Sequence, residues 1–142
     1  MGRGSAKNQG SVKTRSHKAK SSWLVKDLTP KDQELIAETL EGLRPWLEEN
    51  LSSAKHPWPS QCCADTCCEL RPLLVEKLGN HGHRWKEQGG YFNDGYHSEE
   101  GHTWIENAAG WIVDPTAGQF IDGPALVIFP PPRDPRYRLK RS

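Results

Sequence analysis

No run of apolar residues in this 142-residue chain approaches the roughly 18 that a membrane span needs. The N-terminus also lacks the apolar stretch of a secretory signal, and the expected location is the cytoplasm. The opening MGRGSA offers Gly2, but Ala6 stands where an acylation pattern wants serine or threonine, so no lipid anchor is expected. No internal repeat is present. Residues 1–20 hold six basic side chains, no acid and no Phe, Trp or Tyr, which excludes a stacking surface for single-stranded nucleic acid there. With a net charge of +1 overall, the chain beyond residue 20 carries −5. The expected organisation is a disordered basic leader over 1–22, one folded domain over 23–132, and a basic C-terminal tail over 133–142. At 35% hydrophobic, the chain can bury one modest core and not two.

What is present is sulfur in one place. PSQCCADTCCELRPLL packs all four cysteines, Cys62, Cys63, Cys67 and Cys68, into a single short stretch. In a reducing compartment such residues bind metal, act as nucleophiles or lie buried, and disulfides come last. Zinc could draw on these thiols together with His81 and His83, but ligand pairs normally sit in a knuckle loop, and these cysteines read as helical. The expectation is no bound metal and no cofactor, with a small zinc-binding protein as one alternative.

The first helix is signalled by Thr29 as N-cap, Pro30 at the first helical position and Asp32 returning the capping bond. Leu35, Ile36, Leu40, Leu43 and Leu47 recur at helical spacing, with a kink or break expected at Pro45. A second helix opens at the cysteines. Cys63, Thr66, Cys67, Leu70, Leu73, Leu74 and Leu78 form its inner stripe, with Cys62 and Cys68 off it, a kink or break at Pro72 and a stop at Gly79 and Asn80. Thereafter GYF, HTWIEN, GWIVDPT and ALVIFP read as short strands, and Pro130, Pro131 and Pro132 end the sheet. Two helices followed by an antiparallel sheet make an α+β domain.

His102 and Asp114 fall on consecutive strands joined by a turn at Asn107 to Gly110. Side chains alternate along a strand, so the two share a face only with the right loop parity. A three-residue loop with left-handed Gly110 makes them diagonal neighbours; a five-residue loop puts them opposite. The expected shared face is the one that receives the cysteine helix. A thiol in the first turn of that helix feels the positive end of the helix dipole, which raises its thiolate fraction. The inner stripe favours Cys63 as that thiol, with Cys62 the alternative and Cys67 a small buried packing residue. Gln61 is a candidate donor to an oxyanion, with Gln119, at the far edge of the sheet, a second. Trp104 points the same way as His102 and could wall the site.

A cysteine opening a helix, then H-x-W on one strand and D-P-T on the next, resembles the transglutaminase-like branch of the papain-like superfamily. The resemblance runs from about Gln61 to Phe120 and includes GYF before the His strand and DPTAGQF after it, as in small bacterial and phage-type members. It implies a papain-like fold and a Cys-His-Asp triad of nucleophile Cys63, base Cys-activating His102 and orienting acid Asp114. The implied activity is thiol-dependent acyl transfer on a protein, peptide or small amide substrate, by hydrolysis, deamidation or transamidation. The alternative from another class is a non-catalytic binding module of the same fold whose basic tails contact nucleic acid.

Overall fold

The computed structural model describes residues 25–93, 95, 99–120 and 126–140. The basic leader expected over 1–22, and Trp23, lie outside the described residues. Helix α1 (Pro30–Asn50) opens with the capping box: Asp32 N–H donates to Thr29 Oγ1 and Thr29 N–H to Asp32 Oδ2, both at 3.0 Å. Its inner side buries Ile36, Leu40 and Leu47. Helix α2 (Cys63–Leu78) buries Thr66, Cys67, Leu70 and Leu74, and ends at Gly79 (φ +79°), as the stripe and the glycine imply. Among the described residues, no helix is long and apolar enough to cross a membrane.

Of the kink or break expected at Pro45 and at Pro72, the break does not occur; both helices run through. Each proline is exposed and lies on the outer side of a helix whose inner side is held by fully buried leucines. The carbonyl that each proline leaves without a donor, at Glu41 and Cys68, belongs to an exposed residue, where water can serve it.

Among the described residues five strands follow: β1 (Lys86–Phe92), β2 (Glu100–Glu106), β3 (Ile112–Asp114), β4 (Val127–Phe129) and β5 (Tyr137–Leu139). They form one antiparallel sheet in the order β4-β3-β2-β1-β5. β1 begins four residues before GYF, because the polar Lys86 to Gly89 stretch is held by its ladder with β2 and not by an apolar pattern. Nor do the three prolines end the sheet. The segment from 133, read as a tail, returns to pair Gly90, Tyr91 and Phe92 with Leu139, Arg138 and Tyr137. Its described arginines are engaged: Arg133 bonds Glu106, Arg136 bonds Asp134, and Arg138 bonds Glu99. They are therefore not a free basic cluster.

The sheet is apolar on both faces. Ile105 and Val113 face α2 and pack with Cys67, Leu70, Leu74, Trp85 and Trp111. Trp104 and Ile112 point the other way and pack with Phe92 and Tyr137. A third cluster joins Leu40 and Leu47 of α1 to Trp58 and Cys62. Fully burying each Leu, Ile or Phe contributes about 1.5–3 kcal/mol. Phe120 and Phe129 pack against the second cluster, which includes Tyr137 of β5.

Candidate functional site

The β2–β3 hairpin closes where Asn107 N–H meets Trp111 O at 3.1 Å, leaving a loop of Ala108, Ala109 and Gly110. Gly110 is left-handed at φ +98°, and Asn107 Oδ1 ties the loop by accepting from the N–H of Ala109 and of Trp111. The register pairs Ile105 with Val113, which carries Trp104 opposite Asp114 and makes His102 the diagonal neighbour of Asp114. His102 Nε2 lies 2.7 Å from Asp114 Oδ2, with both side chains inaccessible to solvent.

The shared face is not the one that receives α2. By alternation His102 sits with Trp104 and Asp114 with Ile112, on the aromatic side, while α2 packs on the Ile105 and Val113 side. The cysteine reaches His102 past an open edge of β2. The odd-numbered residues of β2 turn their peptide groups toward β3, and Thr103 stands opposite Pro115 in that register. Proline has no N–H to give, so the ladder stops. The first turn of α2 fills the gap: Cys67 Sγ donates to Thr103 O at 3.5 Å, and the N–H groups of Thr103 and Ala64 point at the Cys63 sulfur. The proline of D-P-T thus opens the edge through which the thiol meets the imidazole.

Asp114 is saturated with donors. Oδ2 accepts from His102 Nε2 and from Tyr137 OH at 2.6 Å; Oδ1 accepts from Thr116 N–H at 3.1 Å and from Thr116 Oγ1 at 3.4 Å. A carboxylate only accepts, so His102 carries its proton on Nε2 and leaves Nδ1 toward Cys63. Nδ1 is buried and makes no hydrogen bond of ordinary geometry; the Cys63 thiol is the polar group acting on it. Rings surround the imidazole. Phe120 meets it edge-on with centroids 4.8 Å apart, and Trp104, Tyr137 and Phe92 lie at 5.9, 6.1 and 6.4 Å. Trp104 is fully buried and donates to Glu106, so it is packed behind His102 and does not wall an opening.

Burial alone pulls the His102 value down, but the bonds to Asp114 and Cys63 outweigh it and raise the imidazole to about 9. Burial pushes the Cys63 thiol up; the His102 bond and charge, with the Thr103 and Ala64 amides, more than offset it and leave the thiol below its ordinary value. The two shifts belong to one coupled pair, in which each partner favours the charged form of the other. For stability the sign follows from His102: its contribution is complete below the unfolded value of 6.5 and is lost as pH rises through about 9.

The other thiols are placed differently. Cys62, the N-cap residue, escapes the helical wheel and is buried beside Trp58, where burial pushes its thiol up although Thr66 Oγ1 lies 3.7 Å from its sulfur. Burial pushes Cys67 far up, and Cys68 is exposed on the outer side of α2. His83 is buried, stacked on Trp85 with centroids 4.9 Å apart, and its Nδ1 is 3.3 Å from Asn107 Nδ2. Among the described residues, no three His, Cys, Asp or Glu side chains converge as a metal site requires.

Gln61 is exposed and left-handed (φ +59°), with its N–H donating to Gln119 Oε1 at 3.3 Å. Gln119 therefore lies beside the start of α2, on the short 3-10 turn Ala117–Gln119, and not at a far edge of the sheet. Sequence reasoning missed Tyr137, Thr116 and Phe120. Tyr137 had a signal, since Arg136, Tyr137, Arg138 and Leu139 alternate as a strand does, but the density of charge there reads as a tail. No family model, no curated protein and no solved structure matches this chain.

Proposed function

We propose that the protein is a thiol-dependent acyl-transfer enzyme, a small papain-like domain of the transglutaminase-like kind, acting on an amide or peptide carbonyl. The observation that carries this is the convergence of Cys63, at the first position of a helix, on an imidazole whose other nitrogen is fixed by a buried carboxylate. The Cys63 thiolate attacks the carbonyl carbon, and the carbonyl electrons move to oxygen. The Cys63 N–H, without a partner at the helix start, is the nearest donor to that oxyanion, with the Gln61 side chain the second candidate. As the oxyanion collapses, the carbon–nitrogen bond breaks and the His102 imidazolium gives its proton from Nδ1 to the departing amine. His102, now neutral, takes a proton from water or an incoming amine, which attacks the thioester and releases Cys63. Asp114 holds the imidazole by Nε2 throughout. Water as acceptor gives hydrolysis or deamidation, and an amine gives transamidation.

Mixing the protein with p-nitrophenyl acetate tests this. The expected result is a burst of about one nitrophenolate per chain, with the acetyl mass on Cys63. A primary amine added afterwards separates the outcomes, by capturing the acetyl group if the enzyme is a transferase. Acylation confined to Cys68, or no burst, would remove the proposal.

A further inference from the structure

Two residues before Cys63 the chain adopts a conformation that an L-residue with a side chain avoids. Gln61 is left-handed at φ +59°, and the side chain bonded to its N–H is that of Gln119. Gln119 is itself fixed: its Nε2 donates to Thr116 Oγ1 at 3.0 Å. Thr116 is fully buried, and its N–H and hydroxyl donate to Asp114 Oδ1. Asp114 Oδ2 takes Nε2 of His102, whose Nδ1 looks back to Cys63. Hydrogen bonds thus run from the turn that launches the cysteine helix, through the 3-10 turn after β3, to the carboxylate and the imidazole, whose Nδ1 faces the thiol.

Building on the acyl-transfer reading, we infer that Gln119 is a positioning residue that clamps the turn before Cys63 to the turn after Asp114, and so sets the approach of the thiol to His102. Gln119 touches none of the reacting atoms. Its effect passes through Gln61, whose left-handed backbone fixes the direction in which α2 starts. That direction matters because His102 Nδ1 lacks a fully formed hydrogen bond. The thiol acts on the imidazole without a hydrogen bond of ordinary geometry, so a small swing of the helix start changes their coupling. Without the clamp, Gln61 relaxes toward an ordinary conformation, the contact with the imidazole weakens, and the thiolate loses the partner that offsets its burial.

Gln119→Met keeps the length of the side chain and removes both hydrogen bonds. Gln61→Gly removes the strain at that position, because glycine takes φ near +60° without penalty. The probe is iodoacetamide, with the Cys63 adduct located by fragment-ion mapping across pH 5–10 in a Cys68→Ser background, and with melting curves for each variant. Expected for Gln119→Met is an intact melting transition, a fall of about tenfold in Cys63 alkylation at pH 6.5, and a pH midpoint raised by about one unit. The Gln61→Gly/Gln119→Met pair should recover most of the rate, which a merely structural loss would not allow. A wild-type profile below the ordinary thiol range with Gln119→Met superimposed on it overturns the clamp and leaves the acyl-transfer reading standing. A slowed Gln119→Met with no recovery in the pair also overturns it. An ordinary thiol profile in the wild type removes both.

Discussion

Replacing Cys63 by alanine should abolish formation of the acyl-enzyme while leaving the fold in place. Cys63 is half-buried, and its loss removes one sulfur from the edge of β2, where the Thr103 N–H then turns to water. A stability change of about 1 kcal/mol or less is expected. The chemical loss is of another order. With no nucleophile there is no thioester, and turnover should drop by at least about 10³-fold. Cys68→Ala is the control, because Cys68 is exposed on the outer side of α2. It should behave as wild type within about 0.5 kcal/mol and with full burst amplitude. An active Cys63→Ala beside an inactive Cys68→Ala would mean that the chemistry lies on the other side of the helix.

Ending the chain after Pro132 should cost most of the stability of the domain. Tyr137 is buried to 2% exposure among Phe92, Trp104 and Phe129, and deletion also strips β1 of its partner strand. Loss of a buried aromatic side chain alone costs about 3–5 kcal/mol, which is comparable with the whole stability of many small domains. The deletion further removes Arg133, leaving the nearly buried Glu106 carboxylate without its bidentate partner. Tyr137→Phe isolates the hydroxyl: β5 stays, Asp114 loses one donor, and a cost of about 1–3 kcal/mol is expected. Urea unfolding of the three proteins reads the difference. A truncated chain that unfolds at the same midpoint as the full one would make residues 133–142 the tail that their charge suggests.

That misreading of the C-terminus shows where the sequence stops informing. The helices and the hairpin were legible because their signals are local: Thr29 with Asp32, the stripe from Thr66 to Leu74, and Gly110 closing a loop of odd length. Parity allowed His102 and Asp114 to share a face with a three- or five-residue loop and not with a four-residue one, and the structure has the three-residue loop. Parity does not say which face a helix covers. Ile105 and Val113 alternate as regularly as Trp104 and Ile112, and only the packing of Cys67, Leu70 and Leu74 decides that α2 takes the former pair. Pro115 carried the missing information, since it ends the ladder opposite Thr103 and admits the helix start at the strand edge. β5 is legible only through pairing between residues far apart in the chain, such as Tyr91 with Arg138, which no window of sequence displays. Cys62 lay off the predicted stripe yet is buried, because an N-cap residue does not obey the helical period.

The coupling of Cys63 to His102 is the centre of the proposed chemistry, and the pH dependence of Cys63 alkylation measures it most directly. The thiolate is the reacting species, so the midpoint of the profile reports the thiol in the presence of the imidazolium. The expected midpoint lies below that of an ordinary thiol. In His102→Gln the offsetting bond and charge of the imidazole are gone and only the Thr103 and Ala64 amides still oppose burial, so the midpoint should rise above that of the wild type. A wild-type midpoint at or above 8.5 that His102→Gln leaves unchanged would contradict the pairing of thiol and imidazole.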